Sequence, residues 1–247
     1  MSRFEGKVAI VTGAASGVGR ATVSRLASEG ATVVGVDLNT DGLAETVALQ
    51  EGLPVTSRVA DVSSRDEAHA VVAETVAAHG RLDVLANIAG ILRTSHLADL
   101  TEADVDLVLN VNLKALIWTC QAAIPHLNAT TGSIVNIASN SALMGAPYHS
   151  VYSASKGGVV ALTRTLSAEF AKAPVRINAV APGGIKTPMT KAASLPDDVD
   201  WDLIGPLMGF RDMSRPEDIA AVVAFVASDD ARALHGAIVS ADMGLTV

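Results

Sequence analysis

Short, almost continuously apolar runs alternate with helical patterns along the whole chain, and that rhythm leaves few folds open. Strand signals fall at 8–12, 32–37, 55–60, 82–88, 133–139, 175–180 and 237–240. Helical patterns fall between or beyond them at 17–28, 41–50, 64–79, 102–127, 151–172 and 216–227. Strands that are apolar at every position are covered on both faces, and helical connections make neighbouring strands parallel. An α/β fold with a parallel sheet between two helical layers follows. No linker, low-complexity segment or solenoid-period repeat interrupts the pattern, so one domain over 1–247 is expected. Caps support several boundaries: Ser63 or Ser64 before Asp66 and Glu67, Thr101 before Glu102 and Asp104, and Ser214 before Pro216 and Glu217.

Composition removes several functions. A net charge of −8 opposes binding to nucleic-acid backbones or anionic lipid, and aromatics at 3% leave no stacking platform for bases. Cys120 is the only cysteine, which excludes an intrachain disulfide and a cysteine-based zinc site. No metal is expected. The N-terminus lacks the apolar core of a signal peptide, and no apolar run looks long enough to span a membrane. A soluble, cytoplasmic protein is the expectation.

Thr12-Gly13-Ala14-Ala15-Ser16-Gly17-Val18-Gly19 follows the first strand and opens the first helix. Glycines there let backbone approach a pyrophosphate, and the helix N-terminus offers free N–H groups to it. Asp37 closes the second strand, where a carboxylate can accept both ribose hydroxyls of an adenosine and repel a 2′-phosphate. Ala14, Ala15, Ser16, Leu38 and Asn39 supply no cation for such a phosphate, so NAD is expected over NADP. Asp37 would otherwise be a plain strand-end turn residue.

Tyr152 and Lys156 stand four apart at a helix start, so phenol and ammonium share one face. A nearby positive charge favours phenolate and moves the tyrosine toward working pH, which suits proton exchange with an alcohol oxygen. Ser139, at the end of the fifth strand signal, can steady that oxygen. Alone, the pair also describes an ordinary helix start with a solvated lysine; the serine and the glycine motif weigh against that.

The spacing Ser139, Tyr152, Lys156, with the Gly-x-x-x-Gly-x-Gly cluster, resembles the short-chain dehydrogenase/reductase superfamily in its compact form. The resemblance runs from Lys7 to Ser240-Ala241-Asp242-Met243-Gly244, with Met243 where a glycine is usual. It implies a single-domain Rossmann fold with seven parallel strands in the order 3-2-1-4-5-6-7. It implies a cofactor site of Gly13, Ser16, Gly17, Val18, Gly19, Asp37, Leu38, Asp61, Val62, Asn87, Ala89, Gly90, Tyr152, Lys156, Pro182, Gly183, Ile185 and Thr187. Asp61-Val62 would contact adenine, and Ile185 and Thr187 the nicotinamide amide. Ile88 replaces a usual asparagine and puts a sheet-bracing bond in question. Tyr152 would be general acid and base, Lys156 would lower its pKa and bond the nicotinamide ribose, Ser139 would hold the substrate oxygen, and Asn112 would place a relay water. Asn112 could equally be a helix kink or a buried amide.

The stretch 188–211 is the one irregular region, and reads as a lid over the site or as a surface helix on the core. Candidate substrate walls are Ser141, Leu143, Met144, His149, Gly183, Met189, Trp201, Ile204 and Met208, a mostly apolar set. It favours a hydrophobic or alicyclic secondary alcohol or ketone, steroid-like among them. His149 orients a substrate or merely starts a helix. A 3-oxoacyl chain on a carrier protein is the competing substrate; the net charge and lid aspartates count against docking an acidic carrier. A non-catalytic dinucleotide sensor is the rival of another class. The family also implies a homotetramer through the two long helices and the last strand, with Leu116, Trp118 and Val160 as outward apolar positions.

Overall fold

The computed structural model describes residues 2–246; Met1 and Val247, at the ends of the expected 1–247 domain, lie outside the described residues. Seven parallel strands form one sheet: β1 (Val8–Thr12), β2 (Thr32–Asp37), β3 (Val55–Val59), β4 (Val84–Asn87), β5 (Ser133–Ile137), β6 (Arg176–Pro182) and β7 (Ile238–Ala241). Their order is β3-β2-β1-β4-β5-β6-β7, as the resemblance implied. The helices are α1 (Gly17–Ser28), α2 (Thr40–Ala48), α3 (Arg65–His79), α4 (Glu102–Leu109), α5 (Ala115–Thr130), α6 (Ser150–Glu169), α7 (Pro188–Ala192), α8 (Trp201–Met208) and α9 (Pro216–Ala227).

The strand pleat explains the two layers. On β1, Ala9 and Val11 join Val23 and Leu26 of α1 and Ile219 and Val223 of α9 in one core. Ile10, between them, points the other way, among Val71 and Val72 of α3 and Ile124 and Leu127 of α5. Burying each of the Val, Leu and Ile side chains stabilises the fold by roughly 1.5–3 kcal/mol. A smaller cluster sets Val159 and Val160 of α6 against Ala179 and Ala181 of β6, and takes Leu116 with it. Leu116 and Val160 are therefore core residues and not the outward positions expected; Trp118 is half-buried.

Three local expectations change. The helix expected over 102–127 is continuous as a chain path but widens into a π-helical turn at Asn110–Lys114. The run Glu102–Thr130 is also long and apolar enough to cross a bilayer, contrary to the sequence reading, although α5 lays Ala115, Cys120, Ala123 and Leu127 against the sheet. Ser214 does not cap α9: its N–H and C=O are spent on Gly184 O and Lys186 N at 3.0 and 2.9 Å, in a bridge to Ile185. Arg215 takes the cap position, and the Asp218 carboxylate accepts its N–H at 2.9 Å. Thr101 caps α4 as expected, accepting from Asp104 N at 3.1 Å.

Candidate active site

The carboxyl ends of β1, β2, β4, β5 and β6 open onto one cleft, the place where parallel sheets bind ligands. All the expected cofactor residues line it except Asn87. Two glycines make the approach possible. Gly13 has φ 71°, and a Cβ there would stand 2.9 Å from the Ala89 backbone; a Cβ on Gly19 would reach within 1.9 Å of Gly13 O. A side chain at Gly13 would strike the segment after β4, and one at Gly19 would push α1 off the glycine turn; either would close the cradle. Ser16 precedes α1 with no side-chain cap bond, so the first N–H groups of the helix face the cleft without that partner.

Asp37 is held at one end. Its Oδ2 accepts from Ala15 N at 3.1 Å and its Oδ1 from Asn39 N at 3.0 Å. Each oxygen keeps a lone pair for a further donor. Arg20, the cation beside the glycine turn, is engaged with Ala15 O, Glu45 and Thr46 at 2.6, 2.7 and 3.0 Å. Asp61 is braced through Oδ1 by Ser63 N and Oγ at 2.9 and 2.7 Å. Glycine-turn backbone, a free helix terminus and an anchored carboxylate together fit an adenine dinucleotide.

Asn87 belongs elsewhere. Thr119 Oγ1 donates to Asn87 Oδ1 at 2.8 Å, Asn87 Nδ2 to Asn136 Oδ1 at 2.9 Å, and Asn136 Nδ2 to Thr163 Oγ1 at 3.0 Å. This buried chain ties α5, β4, β5 and α6 together, so the sheet is braced without the asparagine that Ile88 replaces. Ile88 N and Ala89 N instead donate to Thr12 Oγ1 at 3.0 and 3.1 Å.

At the other end, β5 stops at Ile137 and leaves Ser139 at the cleft, with Tyr152 in the first turn of α6 and Lys156 one turn on. Lys156 Nζ donates to Ile137 O at 2.8 Å and lies 5.9 Å from the centre of the Tyr152 ring. Burial pushes the ammonium down to about 8. The phenol does not follow the expectation drawn from its neighbour. Burial raises the Tyr152 pKa, and the Ser139 hydroxyl offsets only part of that rise. The reason is local: the ammonium is drawn to a carbonyl, while phenolate loses its water. Ser139 Oγ also accepts from Ser141 N and Oγ at 3.2 and 3.0 Å, which fixes its position.

Asn112 sits fully buried in the π turn. Its amide donates to Ile91 O at 2.9 Å and Ser155 Oγ at 3.1 Å, and its Oδ1 accepts from Ile91 N at 2.8 Å. It clamps the loop after β4. A Cβ on Gly90 would come 3.2 Å from Asn112 Oδ1 and 3.4 Å from Lys156 Nζ, so the glycine keeps the space between those groups open.

Of the expected substrate walls, Gly183 and Met189 line the cleft. Ser141 acts through Ser139. His149 Nδ1 is bonded to Pro147 O at 2.7 Å, and its ring lies 6.2 Å from that of Tyr152. Met144 is half-buried and Leu143 exposed. Ile204 turns into the protein, while Trp201 and Met208 are 61% and 68% exposed. Thr187 caps α7, accepting from Thr190 N at 3.3 Å. The cleft is walled instead by Ile91, Leu92 and Arg93 after β4 and by Leu107 and Val111. Ile91, Leu92 and Arg93 lie just past Asn87-Ile88-Ala89-Gly90, and that position is the signal that would have found them. Among the described residues no cluster of His, Cys, Asp or Glu is arranged to hold a metal ion.

Comparison with known proteins agrees with this geometry. A family model described as Enoyl-(Acyl carrier protein) reductase matches residues 13–246. The 3-oxoacyl-[acyl-carrier-protein] reductase FabG of Thermotoga maritima is 42% identical over 99% of this chain and 100% of its own. A 3beta-hydroxysteroid dehydrogenase of Mediterraneibacter gnavus is 35% identical over 100% of this chain and 97% of its own. A short chain dehydrogenase from Mycobacterium paratuberculosis bound to NAD superposes with TM-score 0.91 at 33% identity, covering 99% of each chain. Levodione reductase superposes with TM-score 0.91 at 34% identity, covering 98% of each. Matched by that model over residues 13–246 and by such relatives over nearly its whole length, this chain is a member of the short-chain dehydrogenase/reductase family and an oxidoreductase acting on CH–OH groups.

Proposed function

We propose that this enzyme interconverts a hydrophobic or alicyclic secondary alcohol and its ketone, with NAD as cofactor. The observation that carries the reading is one cleft with an anchored Asp37 at one end and Ser139, Tyr152 and Lys156 at the other. The bound dinucleotide would supply hydride chemistry. The glycine turn, the N-terminus of α1 and Asp37 would hold its adenosine half, and Pro182, Gly183 and Ile185 its nicotinamide half. Tyr152 gives the proton to a carbonyl oxygen in reduction and takes it back in oxidation. Ser139, fixed by Ser141, holds that oxygen by a hydrogen bond. Lys156 keeps positive charge on the same helix face, and Asn112 sets the loop that backs it.

NAD is supported by the free lone pairs of Asp37 and the occupied guanidinium of Arg20, and by the NAD-bound relative. The apolar wall of Ile91, Leu92, Leu107, Val111 and Met189 supports the substrate class, as does the hydroxysteroid relative. A second reading, 3-oxoacyl-carrier reduction, is favoured by the 42% identical FabG. Tyr152→Phe tests the mechanism: turnover of secondary alcohols should fall at least ~1000-fold with NAD affinity kept. Wild-type turnover in that variant would end the reading, and faster turnover of a 3-oxoacyl carrier with NADPH would favour the second.

A homotetramer is part of the same proposal. Its support is Ile117, apolar and exposed on α5, and Met243 beyond β7.

A further inference from the structure

The 188–211 stretch is tied to the body of the protein by a cluster the reaction does not use. Three segments meet there: 94–96 beyond β4, Tyr148 before α6, and 194–200 between α7 and α8. Thr94 Oγ1 donates to Ser194 O at 2.5 Å, and Ser95 N donates to Tyr148 O at 3.0 Å. Asp200 N donates to the Tyr148 hydroxyl at 2.9 Å. His96 Nε2 lies 2.8 Å from Asp198 Oδ1, and its ring meets that of Tyr148 edge-on with centroids 5.1 Å apart. Asp200 in turn caps α8 by accepting from Asp202 N at 2.9 Å, so the Tyr148 phenol holds the first turn of that helix.

Two features point to a moving part rather than a weld. Tyr148 has φ 64°, a left-handed conformation that a bulky residue adopts only when its surroundings impose it, and such strain gathers at switch regions. The bonds also lie at the surface, with side chains 36% exposed at His96 and 81% at Asp198. Exposed pairs of this kind are individually weak. Tyr148 stands four residues before Tyr152, so the same short segment carries the tie and leads into the catalytic phenol.

We propose that Thr94, His96, Tyr148 and Asp198 form a clasp that holds the 188–211 segment closed over the catalytic end of the cleft, and that its release admits substrate and frees product. The proposal rests on reading that cleft as the catalytic site. These are positioning residues, acting through the segment they hold. Against the imidazole stand Asp198 from the segment and Tyr148 from the approach to α6.

Lys191 and Arg211 flank the segment and make it readable by trypsin in the NAD-loaded protein, with rates normalised to denatured chain. His96→Asn and Tyr148→Phe should each raise cleavage at these sites by ~3–10-fold with NAD affinity kept within about twofold. Tyr148→Phe removes a single hydroxyl, so it stands in if His96→Asn fails to fold. Wild-type cleavage rates in the variants would refute the clasp. Failure of the catalytic reading shows separately, as turnover retained in Tyr152→Phe with the cleavage result unaffected.

Discussion

Lys156 shows how a functional residue works against stability. Its ammonium is buried, held by one carbonyl, and pushed from 10.5 down to about 8. A base with a lowered folded-state pKa disfavours folding while it is charged. Between pH 8 and 10.5 the unfolded chain binds more protons, so stability rises with pH across that window, and the full cost is present below it. Lys156→Met should therefore be ~2 kcal/mol more stable at pH 7, by denaturant midpoint, with the gap closing toward pH 10.5, while turnover is lost. An unchanged gap would mean the ammonium is not desolvated. Asp37 supplies a second residue-scale test. Asp37→Ala removes the carboxylate that selects against a 2′-phosphate, and the NADP-to-NAD ratio of kcat/KM should rise ~30-fold, equivalent to ~2 kcal/mol. Both residues were legible in the sequence, because each lies at a fixed offset in a local motif. The direction of the Tyr152 shift was not, since desolvation depends on what the rest of the chain lays over the phenol.

At the scale of elements, most boundaries follow from local pattern, and the departures have tertiary causes. The end of α5 is one. Thr131 closes that helix with φ 56°, a left-handed position that suits glycine and strains a β-branched residue. The glycine is one place later. Gly132 is needed where it is, because a Cβ there would meet Asp83 O at 2.6 Å. Thr131→Gly should stabilise the protein by about 1 kcal/mol in thermal or chemical unfolding, with activity unchanged; destabilisation would show that the threonine conformation costs nothing here. Gly80 at the corresponding end of α3 shows the unstrained arrangement. The π turn at Asn110–Lys114 is another departure. An apolar helical pattern runs straight through it, and the turn exists because Asn112 bonds Ile91 and Ser155 on two other segments.

The whole molecule adds what no single element contains. Exposed Ile117 sits on a helix expected to pair between copies, while Leu116 and Val160 are spent on the chain's own core. Light scattering should give four times the monomer mass of 25.3 kDa, and Ile117→Lys should lower it; a monomer mass in the wild type would remove the assembly. The amino-acid order by itself determined the parallel α/β sheet, the glycine cradle, Asp37 and the Ser139–Tyr152–Lys156 group, because strand and helix periodicity and close-range motifs act over a few residues. Only the folded chain decided the rest. It withdrew Asn87 from the cleft to brace the sheet, and turned Trp201 and Met208 outward and Ile204 inward. It also set the loop after β4 as the cleft wall. Those outcomes depend on which distant segments compete for each hydrogen bond and each patch of buried surface, and that competition is settled only once the layers are assembled.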